Sequence, residues 1–72
     1  MKHYERIRAL REDRDLKQSE IAAILGIGQS YYSKQERNEK PFQIEQIKTL
    51  CEFYGVSADY ILGLPRGLSW PR

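Results

Sequence analysis

Residues 18–37 read QSEIAAILGIGQSYYSKQER, and the interpretation of this stretch decides the fold. An apolar-periodic segment carries Ile21, Ala22, Ile24 and Leu25; a break falls at Gly26-Ile27-Gly28; a second helical segment starts at Gln29. Two helices joined by a short glycine-containing turn make a corner. On the second helix, at 100° per residue, Gln29, Ser30, Ser33, Lys34 and Arg37 share an arc of about 140°, all polar and none acidic. The other arc holds Tyr31, Tyr32, Gln35 and Glu36. A helix face of Gln, Ser, Lys and Arg without a carboxylate suits a groove lined by phosphates and base edges.

The bulk numbers narrow the alternatives. Seventy-two residues make one small domain near the lower limit for a self-sufficient core. A single cysteine, Cys51, excludes an internal disulfide, and it stands far from His3, so no metal-ligand cluster or cofactor site is expected. No apolar run approaches membrane-spanning length and no signal-peptide pattern opens the chain, so the expected setting is the reducing cytoplasm. Twelve basic and ten acidic residues give a net charge of +2, weak support for a nucleic-acid partner. Residues 1–40 carry nine basic and seven acidic groups, whereas 41–63 carry one and three, which makes the later segment the poorer DNA face. Catalysis finds no Cys–His or Ser–His–Asp set, and no small-molecule pocket is evident.

Outward from the corner, residues 4–13 read as a first helix with Tyr4, Ile7 and Leu10 inward. Arg11 lies four residues after Ile7 and shares that stripe. It either snorkels to water or meets an acid, for which Glu36 at the edge of the inward arc is the candidate. Gly26 is placed as the C′ residue of the second helix and Gly28 as the N-cap of the third. A helix over 43–54 carries Ile44, Ile47, Leu50, Cys51 and Tyr54 at helical spacing. Ser57 caps a last short helix over 58–62, closed by Gly63. The tail 64–72, with two prolines and a glycine, is expected to be irregular.

Four pieces in this order, IRALRED (7–13), LKQSEIAAILGI (16–27), SKQER (33–37) and GVSADYILGL (55–64), resemble the lambda repressor/Cro-type helix-turn-helix domain, the XRE family. The resemblance implies an all-α, five-helix DNA-binding domain over residues 1–63 followed by the short tail, and a sequence-specific regulator of transcription, most simply a repressor. It implies a buried pair between Arg11 and Glu36. Gln29 and Ser30 match the family's base-reading positions, with Ser33 and Lys34 beside them; glutamine pairs with adenine and lysine with guanine O6/N7. Gln18 matches a position that holds a phosphate and braces Gln29, and Arg37, Asn38 and Lys40 are expected on the phosphate strand with the amides opening the fourth helix. Lys17, Gly28, Tyr32 and Gln35 depart from the pattern; Gln35 is expected half-exposed at the domain edge. Family members usually act as twofold dimers. Here Tyr60, Leu64, Leu68 and Trp70 are the expected contact, the rival being that the tail covers its own core. Some similar domains serve instead as antitoxins or protein-interaction modules, and the adjacent Tyr31 and Tyr32 keep that alternative open.

Overall fold

The computed structural model describes residues 1–65, which form five helices: α1 (His3–Asp13), α2 (Gln18–Leu25), α3 (Gln29–Glu36), α4 (Ile44–Tyr54) and α5 (Ala58–Leu62). The described residues contain no strand. The all-α, five-helix architecture is the expected one, and helix boundaries shift by one residue at the starts of α1 and α4.

Each start is set by local chemistry. Lys2, Lys17 and Gln43 occupy N-cap positions without the usual Ser or Asp. The reciprocal half of a capping box compensates: Lys2 N–H donates to Glu5 Oε1 at 2.8 Å, Lys17 N–H to Glu20 Oε1 at 3.3 Å and Gln43 N–H to Gln46 Oε1 at 2.8 Å. Ser57 caps α5 conventionally, its Oγ accepting Tyr60 N–H at 3.2 Å. At the corner Gly26 adopts φ +70°, a left-handed conformation that glycine enters without steric cost. Ile27 N–H then reaches Ala22 O at 3.0 Å, closing α2 and turning the chain into α3.

Ile7, Leu10, Ile21, Ala22, Tyr32, Leu50, Tyr54 and Ile61 form the core, so all five helices contribute. Ala22, 2 % exposed, lets α2 approach α3 closely. Two residues at apolar helical spacing, Ile24 and Ile44, are exposed. Ile24 is 40 % exposed, and Tyr31, on the arc of α3 with the buried Tyr32, is 39 % exposed. Ile44 is 84 % exposed: it opens α4, before the helix has reached the other elements. With Phe42, Ile47, Cys51, Val56 and Leu62 it lines an apolar groove of about 620 Å³ instead.

Gln35 also differs from expectation. It is wholly buried, because its Nε2 finds two acceptors, Pro41 O at 2.8 Å and Gln46 Oε1 at 2.7 Å. Tyr60 is half-exposed, yet it has a partner within the domain, the Arg6 guanidinium 5.4 Å from its ring centre. Leu64 is 45 % exposed. Leu68 and Trp70, the other two residues expected at a dimer contact, lie outside the described residues, as does most of the tail.

Candidate nucleic-acid interface

The candidate interface is built on α3, whose inward face packs into the core. Tyr32, Gln35 and Glu36 are its buried residues, and Glu36 anchors it. Arg11 Nε donates to Glu36 Oε2 at 2.7 Å and Nη2 to Oε1 at 3.1 Å, the two-pronged geometry of a guanidinium on a carboxylate. Arg11 Nη1 also donates to Leu16 O at 2.9 Å, so one side chain joins α1, the α1–α2 turn and α3. Gln18 Nε2 adds a third bond to Glu36 Oε1 at 3.0 Å. The amide of Gln18 therefore braces Glu36, at the far end of α3, rather than Gln29.

Burial alone would raise the Glu36 pKa. The Arg11 and Gln18 bonds outweigh it and hold the carboxyl below its ordinary 4.5. The Tyr32 hydroxyl is buried near the same carboxylate without a hydrogen bond of good geometry, and burial pushes its pKa well up. A group whose folded pKa is depressed stabilises the fold above its unfolded pKa and loses that contribution as pH falls through the folded value. The stabilisation from Glu36 is therefore expected to be fully present and independent of pH near neutrality, with the melting temperature falling as pH drops below about 4.5. Glu36→Gln should flatten that acid limb; an unchanged limb would assign it to other carboxylates.

The outward face carries Gln29, Ser30 and Lys34, all exposed, with Ser33 half-buried beside them. Among the described residues, the side chains of Gln29, Ser30 and Lys34 enter no hydrogen bond or ion pair. The first turn of α3 holds no acidic residue, so the positive end of the helix faces outward unopposed. Beyond α3, Asn38 takes φ +61°, a conformation asparagine tolerates better than most residues. Glu39 N–H then closes on Lys34 O at 2.8 Å, turning the chain back toward α4. This turn presents Arg37, Asn38 and Lys40 to solvent in continuation of the helix face.

One acidic residue enters this surface that helical periodicity could not flag. Arg37 Nε donates to Glu39 Oε2 at 2.6 Å, and its Nη1 donates to Ser33 Oγ at 2.7 Å. Arg37 and Glu39 are two apart across a turn, outside the i, i+3 and i, i+4 spacings that pair side chains on a helix. Both side chains are 53 % exposed, so the pair adds little to stability and opens readily to a competing anion. The structure thus gathers Gln29, Ser30, Ser33 and Lys34 on α3 and Arg37, Asn38 and Lys40 in the adjoining turn, with Gln18 at the start of α2. Tyr60 and Leu64 belong to a separate surface around α5. Among the described residues, no group of three His, Cys, Asp or Glu side chains is placed to hold a metal ion, and no helix is long and apolar enough to cross a membrane.

Comparison with known proteins gives the same outline. The sequence model of the helix-turn-helix family matches residues 7–61, most of the chain. A transcriptional repressor of the cryptic phage CTXphi in Vibrio cholerae, RstR, is 39 % identical over 51 residues, covering 71 % of this chain and 46 % of the repressor. An uncharacterised HTH-type transcriptional regulator of Bacillus subtilis, YobD, is 37 % identical over 60 residues, covering 83 % of this chain and 54 % of that protein. The chain therefore spans about half the length of the curated relatives it matches. No solved structure matches significantly.

Proposed function

Because this chain belongs to the helix-turn-helix family, we propose that it binds double-stranded DNA sequence-specifically and regulates transcription, as a repressor, with α3 seated in the major groove. The observation that carries the proposal is the exposed, acid-free face of α3 running into the turn 37–40. Gln29, Ser30, Ser33 and Lys34 read base edges; Gln18, Arg37, Asn38 and Lys40 grip the phosphate backbone. Both relatives carry names of transcriptional regulators, one of them a repressor. The role is binding rather than catalysis, exercised in a reducing cytoplasm. Burial pushes the Cys51 thiol pKa up, with Glu52 adding to it, which suits a core side chain better than a nucleophile.

The phosphate contacts have a test of their own. Lys40→Ala should weaken binding to all duplexes alike and reduce the salt slope by about one. Glu39→Gln should do the reverse, since it frees Arg37 and removes a negative charge from the DNA face. A salt slope unmoved by both substitutions would place the backbone contacts elsewhere.

A second element of the proposal is a homodimer. One such motif reads a short half-site, and a twofold pair spaces two recognition helices about 34–36 Å apart along the duplex. The contact is proposed around α5, where Tyr60, Leu62 and Leu64 are each about half exposed, together with Leu68 and Trp70. Truncation after Gly63, sized by sedimentation and melted, checks it. Loss of the dimer with a retained monomer fold is expected; a surviving dimer with a much lower melting temperature would make the tail a cover for its own domain.

A further inference from the structure

Gln35 is a buried amide on the inward face of a helix, where an aliphatic side chain would fill the space without needing hydrogen bonds. Its orientation is fixed by its neighbours. Pro41 O can only accept, and Gln46 Oε1 already accepts Gln43 N–H at 2.8 Å, so both must face the Gln35 NH2 group. The Gln35 carbonyl oxygen is then left buried without a partner among the described residues, a destabilising arrangement. What the amide does accomplish is a link. A continuous chain of hydrogen bonds runs from α3 through the Gln46 side chain to the backbone at the N-cap of α4, with a branch to the loop at Pro41.

We propose that Gln35 is a positioning residue: its buried amide fixes the loop 37–43 and the start of α4 relative to α3, so that backbone-gripping and base-reading groups meet one duplex in register. The proposal rests on the DNA-binding reading above. The segment it holds carries Asn38 and Lys40 and leads into the first-turn amides of α4, whereas Gln29, Ser30 and Lys34 ride on α3 itself. Asn38 N–H meets only the backbone oxygen of Gln35, at 3.1 Å, and the Gln35 side chain bonds to neither set, so the effect of the amide on DNA passes through Gln46 and Pro41.

The test compares wild type, Gln35→Leu, Gln46→Ala and the double variant on a mixed-sequence duplex across a salt series, alongside melting and amide hydrogen exchange. Gln35→Leu removes the orphaned carbonyl together with the link, so it should melt within a few degrees of wild type while losing roughly tenfold in affinity and about one unit of salt slope. Gln46→Ala should lose a similar amount, and the double variant no more than either single, because both cut the same chain. Amides of residues 42–46 should exchange faster in Gln35→Leu while those of α1 and α2 do not change. Folded variants with wild-type affinity, slope and exchange would overturn the proposal. If Gln35→Leu does not fold, Gln46→Ala decides by the same readings. A wild type without salt-dependent binding would remove the DNA reading, and the exchange pattern would still show whether Gln35 holds the loop.

Discussion

Glu36→Ala is expected to melt far below wild type, with or without DNA. The side chains of Arg11 and Glu36 are 13 % and 2 % exposed and meet through two bonds. Removing the carboxylate leaves a largely desolvated guanidinium with only Leu16 O, and takes the acceptor from Gln18. Breaking a buried pair from one side costs about 3–5 kcal/mol, because the surviving charge stays buried and unpaired. Small domains hold about 5–15 kcal/mol in all, so the loss is a large share. The double variant Arg11→Met/Glu36→Leu should recover much of it, since no charge is left stranded. A Glu36→Ala protein that melts like wild type would mean that both groups are solvated in solution.

Lys34→Ala and Gln29→Ala should each cost about 1–3 kcal/mol on the preferred site and relax the preference at one base pair. Both side chains are exposed and carry no internal hydrogen bond, so neither substitution should move the melting temperature. That separation distinguishes base reading from folding. The contrast with Lys40→Ala, which weakens every sequence alike, separates base contacts from phosphate contacts. If both α3 variants bind the preferred site like wild type, α3 does not lie in the groove as proposed.

The framework was legible because its signals are local. Gly26 after Leu25, the spacing of Ile7, Leu10, Leu50 and Tyr54, and Ser57 before α5 each name a helix end or face by chemistry that operates within a few residues. The polar arc of α3 was legible for the same reason. What escaped depends on partners distant in sequence or outside helical spacing. Gln35 reads as an edge residue because its acceptors, Pro41 O and Gln46 Oε1, come from the loop after α3 and the first turn of α4, whose approach to α3 no periodicity describes. The claim of Glu39 on Arg37 depends on the left-handed turn at Asn38, which the sequence does not announce. Ile44 keeps helical register with its stripe yet opens α4 in solvent, since periodicity gives the face of a helix and not how far along it the neighbours reach. The stacking of Arg6 on Tyr60 likewise joins residues far apart in sequence, and it leaves the ring half-exposed.

The central claim, that the exposed face of α3 reads DNA sequence, is tested most directly by selecting bound sites from a pool of random duplexes with this chain. Convergence on two inverted half-sites about one helical turn apart, with affinity falling steeply as salt rises, is the predicted result. An unenriched pool, together with binding that salt does not weaken, would contradict it.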